Sequence, residues 1–200
     1  MQPDPDTGLA HFEALYADGD DPWNVRGAWY EQRKRALLLA SLGRPRYGNA
    51  FEPGCGNGEL SAALAARCDR LLASDGAASA VAAAQRRLQG LPSVRIEQRR
   101  LPGDWPPGDR FDLIVLSELA YYFDLPALQT MLAAARDCLA PDGELVMCHY
   151  LPGFDDRVSA TAQAHGVADD MPGLVRTLRH HDQRFLLELW RRSPIEAPAS

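Results

Sequence analysis

A glycine-rich turn between an apolar run and a helix-forming run constrains this chain more than any other segment. Residues 50–58 read Ala-Phe-Glu-Pro-Gly-Cys-Gly-Asn-Gly. Glycine at alternate positions, Gly54, Gly56 and Gly58, allows positive φ and a close approach of the backbone to a ligand. The run that follows, 59–67, is rich in helix formers. The segment therefore predicts a strand, a glycine turn and a helix N-terminus, a unit on which α/β proteins bind nucleotide-like ligands.

The spacing of these glycines separates two classes of ligand. A dinucleotide-binding turn has the pattern Gly-x-Gly-x-x-Gly and holds a pyrophosphate at the helix N-terminus. In that register the third glycine is replaced by Glu59, whose carboxylate would repel a phosphate. The pattern present, Glu-x-Gly-x-Gly-x-Gly, resembles motif I of class I S-adenosylmethionine (SAM) methyltransferases, whose ligand carries no phosphate. The resemblance implies that the cofactor contacts the residues of this motif, namely Glu52, Gly54, Cys55, Gly56 and Gly58.

Composition and charge exclude several further classes of protein. A chain of 200 residues with 46% hydrophobic and 24% charged residues is typical of one soluble α/β domain. Its net charge of −6 argues against a nucleic-acid surface, which needs a basic stripe. No apolar run is long enough to span a membrane, and the polar N-terminus is unlike a signal peptide. The four cysteines lack metal-ligand spacing, so we expect a cytoplasmic protein with reduced cysteines and no metal.

The order of predicted elements is typical of a doubly wound sheet. Helices are predicted over residues 9–18, 27–42, 58–68, 77–89 and 125–139, with one short helix within 155–168. Strands are predicted over 48–53, 70–75, 94–99, 111–117 and 144–149, followed by a hairpin of 174–181 and 185–190. The segment 101–110 holds three prolines and two glycines, so no full helix is expected there. Alternation alone also allows a flavodoxin-like sheet.

An acidic residue follows the second predicted strand. Asp75 lies about twenty residues beyond the glycine turn, at the sheet edge where open α/β folds bind ligands, and its carboxylate suits the two hydroxyls of a ribose. Gly76, the next residue, is expected to line the same cofactor site. The alternative is that Asp75 caps the following helix.

A second polar group follows the fourth predicted strand. Ser117 ends that strand and is expected at the cofactor, and Glu118 comes directly after it. The Glu118 carboxylate suits the attraction and deprotonation of an ammonium, while Tyr121 and Tyr122 can surround a cationic methylating centre. The alternative for the tyrosines is packing against the next helix. His149 ends the fifth strand on the same edge, where it is either a general base or a structural residue.

Segments outside the glycine turn carry a more specific resemblance. Asp21-Pro22-Trp23 is followed by Trp29-Tyr30-Glu31-Gln32-Arg33-Lys34-Arg35, and Ser117-Glu118-Leu119-Ala120-Tyr121-Tyr122 ends the run that begins at Phe111. With the glycine motif, these segments resemble the nodulation protein S family of N-methyltransferases over residues 12–190.

That resemblance implies the fold and its division. We expect a Rossmann-like class I methyltransferase of the α/β class, with a seven-stranded, mostly parallel sheet, a C-terminal antiparallel hairpin and an N-terminal helical lid. It implies a single domain over residues 1–200, with the lid at 9–45 and the core at 46–192. Residues 1–8 and 194–200 are rich in proline and small residues, so both ends are expected to be flexible.

The resemblance also implies roles for the lid. In the family the N-terminal helix folds over the cofactor; Trp23 matches its aromatic lid, and Arg33 matches an arginine that reaches the methionine carboxylate. Tyr30 is expected beside them. A guanidinium binds a carboxylate bidentately. Arg33, Lys34 and Arg35 together also fit a solvated basic face.

One departure from the family concerns adenine. Many relatives place an acid after the third strand, whereas this chain has Arg99-Arg100-Leu101, and arginine cannot accept a hydrogen bond. We therefore expect adenine to meet the Leu101 backbone, with Asp104 and Trp105 nearby.

The resemblance implies SAM-dependent methyl transfer to a small or medium-sized acceptor, with S-adenosylhomocysteine as product. The acceptor it implies is an amine, and by resemblance alone an amino sugar or a glycan-derived amine. Two alternatives stay open: a SAM-binding sensor or partner protein without catalysis, and an NAD-dependent oxidoreductase.

Overall fold

One seven-stranded sheet organises the part of the chain that the computed structural model describes, residues 5–193. The strand order is β3-β2-β1-β4-β5-β7-β6. The strands are β1 (Ala50–Pro53), β2 (Leu71–Asp75), β3 (Val94–Gln98), β4 (Phe111–Ser117), β5 (Leu139–Tyr150), β6 (Leu174–His181) and β7 (Phe185–Arg192). The helices are α1 (Pro5–Asp18), α2 (Trp29–Ser41), α3 (Glu59–Ala65), α4 (Ala78–Arg87), α5 (Leu125–Cys138) and α6 (Thr161–Asp169).

The pairing directions follow the prediction. Strands β1 to β5 pair in parallel, and β7 is antiparallel to both β5 and β6. The seven-stranded, mostly parallel sheet with a C-terminal antiparallel hairpin is therefore confirmed. The flavodoxin-like alternative is wrong, because the hairpin adds two antiparallel strands beyond β5.

The sheet has a hydrophobic core on each face. Along β4, Leu113 and Val115 join one buried cluster with α2 and α3, whereas Ile114 and Leu116 join another with α5 and α6. Successive side chains of a strand point to opposite faces, so a continuous apolar run is buried on both sides. This layering brings the ends of β1, β2 and β4 together at one edge of the sheet.

Several predicted boundaries shift. Helix α1 begins at Pro5 rather than at residue 9, and β5 begins at Leu139 because Phe111 pairs with Leu139 before the register shifts. The predicted flexible ends concern residues 1–8 and 194–200; of these, 1–4 and 194–200 lie outside the described residues. Between residues 5 and 193, no helix has the length and apolar character needed to cross a bilayer.

Candidate functional site

The glycine turn after β1 adopts the backbone that its sequence predicts. Gly54, Gly56 and Gly58 have φ values of 72°, 54° and 81°. The N–H of Cys55 donates to the Ser74 carbonyl at 2.9 Å, which ties the turn to the end of β2. A Cβ on Gly54 would lie 2.9 Å from a methyl of Leu119, a residue beyond β4. The turn therefore lies against the ends of both neighbouring strands, and only glycine fits it.

Asp75 fastens this turn from the end of β2. Its Oδ2 accepts the N–H of Gly56 at 3.0 Å, and its Oδ1 accepts the N–H of Ala77 at 3.0 Å. Burial raises the pKa of Asp75, against these backbone hydrogen bonds. A carboxylate oxygen has two acceptor sites, so each oxygen can still accept a further hydrogen bond. The geometry thus suits two ligand hydroxyls, while the bond to Ala77 gives the carboxylate a local turn-forming role as well.

The other predicted residues of the turn are buried beneath it. Glu52 accepts a hydrogen bond from the Ser61 hydroxyl at 2.6 Å, and burial raises the pKa of Glu52 to about 8. Burial also raises the pKa of the Cys55 thiol well above its usual value. These two side chains support the turn from the protein interior.

Helix α1 covers the turn from the solvent side. The hydroxyl of Tyr16 lies where a Cβ on Gly56 would be, and a methyl of Leu9 lies 2.9 Å from a Cβ built on Gly76. The Tyr16 ring packs edge-on against Trp23 at 5.6 Å between centroids. Trp23, 46% exposed, therefore forms part of an aromatic cover over the turn, and its contact with the cofactor stays a prediction.

The Asp21-Pro22-Trp23 segment is tied to the glycine turn by polar contacts. Asp21 accepts the N–H of Val25 at 2.7 Å, and Asn57 donates to Asp21 Oδ1 at 3.1 Å. Glu59 accepts hydrogen bonds from Arg26 and Arg87. Burial alone would raise the pKa of Glu59, but the two guanidinium groups outweigh it and lower the pKa. The Glu59 carboxylate, which stands where a dinucleotide-binding turn has its third glycine, thus attaches the lid to α3.

Glu118 is the second polar centre of this edge. It is a non-glycine residue with a left-handed φ of 54°, a conformation that costs about 1–2 kcal/mol and is concentrated at functional sites. Its carboxylate contacts the Lys34 ammonium through Oε1 and the Tyr121 hydroxyl through Oε2, and Oε2 also accepts the N–H of Tyr150 at 3.0 Å. The Glu118 side chain is 27% exposed, so it remains accessible. Burial and the nearby Glu118 raise the pKa of Tyr121 and keep its hydroxyl a donor.

Lys34 is a site residue that the sequence analysis missed. Its buried ammonium lies 2.8 Å from Glu31 and 5.0 Å from the centre of the Tyr30 ring, besides its contact with Glu118. Burial would lower the pKa of Lys34, but Glu118 and Glu31 outweigh burial and raise it. Tyr30 therefore lies next to a cation that α2 supplies, and its contact with the cofactor stays a prediction.

Arg33 does not point to the glycine turn. Its guanidinium lies 2.5 Å from Asp182 in the β6–β7 turn and 5.5 Å from the centre of the Phe185 ring. Arg33 thus connects α2 to the hairpin, and the predicted contact with the methionine carboxylate has no support in its contacts. Consecutive helical residues are about 100° apart around the axis, which separates Arg33 from Lys34.

His149 is at the predicted strand end but is fully buried. Its Nε2 accepts the N–H of Ala120 at 3.0 Å, and its Nδ1 lies 2.9 Å from His165 Nε2. Both ring nitrogens are therefore engaged inside the protein. The prediction that His149 is a general base is wrong on this geometry, and the structural alternative describes it better.

The side chains predicted near adenine have their contacts within the protein. Leu101 packs against the hydrophobic core, and Trp105 packs edge-on against Phe51 at 5.3 Å. Asp104 accepts the N–H of Arg100 at 3.1 Å, which closes the turn on itself. A cleft of about 420 Å³ opens beside Gly76, next to this segment; its walls include Leu9, Glu13, Gly76, Gln98 and Arg100.

A substitution tests how tightly α1 covers the turn. We expect Gly56→Ala to destabilise the fold by more than Gly90→Ala. Both positions have positive φ, but a Cβ at Gly56 meets Tyr16, whereas one at Gly90 meets no atom within 4 Å. Gly90→Ala should cost about 1–2 kcal/mol from the backbone alone. The free energies of unfolding in denaturant measure the difference, and equal costs would mean that α1 does not lie on the turn.

The sequence of this chain is similar to the sequences of known proteins. The family model of nodulation protein S (NodS) matches residues 13–168. Nodulation protein S of Rhizobium tropici is 32% identical over 129 residues, which is 64% of this chain and 54% of that protein. Nodulation protein S of Sinorhizobium fredii is 30% identical over 152 residues, 70% of this chain. The chain spans 54% and 66% of the length of these two curated relatives.

Two solved structures are similar over most of the chain. A Pseudomonas syringae protein assigned as a methyltransferase is 47% identical and superimposes with a TM-score of 0.73, covering 82% of this chain and all of that one (100%). The N-methyltransferase NodS from Bradyrhizobium japonicum WM9, in complex with S-adenosylhomocysteine, is 24% identical, with a TM-score of 0.82 over 92% of this chain and 98% of that one.

Proposed function

The chain belongs to the nodulation protein S family, and from this premise we propose that it is a SAM-dependent methyltransferase acting on the amine of a small or medium-sized acceptor. One observation carries the proposal: a single sheet edge holds both the glycine turn with Asp75 and a carboxylate, Glu118, that already contacts an ammonium. The first group suits a nucleoside, and the second suits an amine. The S-adenosylhomocysteine complex of the Bradyrhizobium relative supports the donor.

The residues present fit the donor. Asp75 would accept the ribose hydroxyls, since each of its oxygens has an acceptor site beyond its backbone bond. The glycine turn leaves room for close approach of a ligand to the backbone, and the cleft beside Gly76 would receive adenine. SAM supplies a sulfonium methyl group that is intrinsically electrophilic. Tyr16 and Trp23 would exclude water from it.

The residues after β4 fit an amine acceptor. An amine must be neutral to attack, so a group beside it has to accept a proton. Glu118 Oε1 contacts Lys34, and its second acceptor site can receive the acceptor's N–H. Tyr121 and the Tyr150 N–H hold the other oxygen and fix the direction of the carboxylate. We assign Glu118 as the residue that orients and deprotonates the amine, with Tyr121 holding it.

Calorimetric titration with S-adenosylhomocysteine and a paired acceptor screen test this function. We expect saturable binding of S-adenosylhomocysteine, and methyl transfer from SAM to glucosamine or to a polyamine, detected as a gain of one methyl mass. Glucose, which has a hydroxyl in place of the amine of glucosamine, should gain none. Binding without transfer to any amine would favour a SAM-binding sensor, and binding of NADH alone would favour an oxidoreductase.

A further inference from the structure

A chain of buried polar side chains runs behind the candidate site. Glu188 of β7, His165 of α6 and His149 of β5 are all nearly or fully excluded from solvent. Glu188 Oε2 lies 2.7 Å from His165 Nδ1, and His165 Nε2 lies 2.9 Å from His149 Nδ1. His149 Nε2 then accepts the N–H of Ala120. Buried polar groups cost free energy unless they are paired, and the hydrogen bonds of this chain of side chains offset that cost.

The hydrogen bonds determine the protonation state of both imidazoles. A backbone N–H can only donate, so His149 Nε2 carries no proton and the proton of the neutral ring is on Nδ1. That proton is donated to His165 Nε2, which leaves the His165 proton on Nδ1, facing Glu188. Arg176, 3.0 Å from Glu188 Oε1, supplies the balancing charge. One tautomer of each ring satisfies every bond.

The chain ends on the loop that carries Glu118. Three consecutive residues at the end of β5 hold this loop: the Cys148 carbonyl accepts the N–H of Glu118 at 2.9 Å, His149 accepts that of Ala120, and the Tyr150 N–H donates to the Glu118 carboxylate. Of these three bonds, the one that His149 accepts is made by a side chain of β5, whereas Cys148 and Tyr150 contribute backbone groups. The left-handed φ of Glu118 has to be maintained by such contacts.

We propose that His149 is a positioning residue of the methyl transfer, and that the Glu188–His165–His149 chain fixes its tautomer so that it holds the Glu118–Ala120 backbone. The inference rests on the proposed function, because it assumes that the direction of the Glu118 carboxylate matters for turnover. His149 itself reaches no ligand; it acts through Ala120.

The surroundings of His149 keep it in the accepting state. Burial, with His165, Lys34 and Arg157, lowers the pKa of His149 well below its usual range. The groups that face it or its partners from the packed elements are Lys34 of α2, Tyr121, Arg157, His165 of α6, Glu188 of β7, and Arg176 and Arg179 of β6. A neutral His149 keeps Nε2 available to Ala120 throughout the neutral range.

A matched pair of substitutions separates positioning from general packing. Counted in bonds from Cβ, the glutamine oxygen corresponds to Nε2 and the asparagine oxygen to Nδ1. His149→Gln can keep the acceptor for Ala120, whereas His149→Asn loses it. We expect His149→Asn to lower kcat about 100-fold, with KM for SAM unchanged, since a misplacement of about 1 Å costs on that order. His149→Gln should retain most of the activity.

The two variants also have similar polarity, so unfolding in denaturant shows whether they differ in stability. Equal loss of kcat in both variants at equal stability, or no loss in either, would overturn the proposal.

A second measurement does not depend on turnover. Nitrogen-15 NMR of the histidine rings in the wild-type protein should show Nδ1–H tautomers for both His149 and His165 at neutral pH. An Nε2–H tautomer at His149 would contradict the proposal directly. If the spectra show these tautomers but no acceptor is methylated, the proposed function is wrong, whereas the hydrogen bonds assigned to Glu188, His165 and His149 remain supported.

Discussion

Replacing Asp75 by alanine is expected to lower the affinity for S-adenosylhomocysteine by about 100-fold or more, since hydrogen bonds to a charged group contribute about 1.5–3 kcal/mol each. The variant removes two potential acceptors of ribose hydroxyls at once. It also releases the N–H of Gly56, so the glycine turn loses a contact that shapes it. Calorimetric titration of the wild-type and variant proteins measures the change.

Asp112 offers a matched control for this substitution. Its carboxylate also accepts two backbone N–H groups, those of Gly48 at 2.7 Å and Asn49 at 2.8 Å, but at the opposite edge of the sheet, where β4 begins. Asp112→Ala should therefore lower the free energy of unfolding without changing the affinity. Unchanged binding by Asp75→Ala, or an equal loss of affinity in both variants, would reject the ribose role of Asp75.

The parts of the fold predicted correctly are those whose signal is local. The glycine turn, the apolar β4 and the hairpin each have a pattern contained in one short continuous segment, and each lies where the sequence indicates. Glu118 and Asp75 also follow from local position, because parallel strands bring their carboxyl ends to one edge. Their burial and their partners do not follow, since these depend on which helix covers that edge.

The sequence analysis placed Arg33 at the site, whereas the structure places Lys34 there. The position of each residue around the axis of α2 would have indicated this difference. Lys34 and Leu38 are both buried, four residues apart on one face of α2. The spacing of the apolar residues of α2 predicts that Lys34 faces the sheet. It also predicts that Arg33 points to one side, away from the site. The basic run 33–35 alone does not indicate which of its residues faces the sheet, because all three have the same charge.

Helix α1 carried a similar signal that the sequence analysis did not use. Leu9, Phe12, Glu13 and Tyr16 follow the i, i+3, i+4, i+7 spacing of one helix face. In the structure, Leu9 and Tyr16 contact the glycine-rich segments, and Phe12 packs edge-on against Tyr122 at 4.8 Å. The contacts of His149 were beyond this kind of reasoning, because His165 and Glu188 are distant in the chain and meet it only through the packing of α6 and β7.

Replacing Glu118 by glutamine is expected to lower kcat for an amine acceptor by about 10²–10⁴-fold, the usual contribution of a positioned general base. Glutamine has nearly the same shape, and its oxygen can still accept from Tyr121 or from the Tyr150 N–H, so the loop should keep its fold. Lys34 keeps its contact with Glu31. The loss should therefore come from the missing negative charge rather than from unfolding.

The split between binding and turnover is the decisive readout for Glu118. The affinity for S-adenosylhomocysteine should stay within about twofold of the wild type, because an interaction made with the reacting acceptor alone does not contribute to donor binding. Asp137→Asn, at an exposed carboxylate that pairs with Arg136 on α5, controls for the loss of one surface charge and should leave both quantities unchanged. If Glu118→Gln kept full kcat, Glu118 would only hold Lys34 and Tyr121 in place, and the proton of the amine would have to leave to another group. If instead donor affinity fell in parallel with kcat, Glu118 would belong to the donor site, since its carboxylate would then contribute before any acceptor arrives.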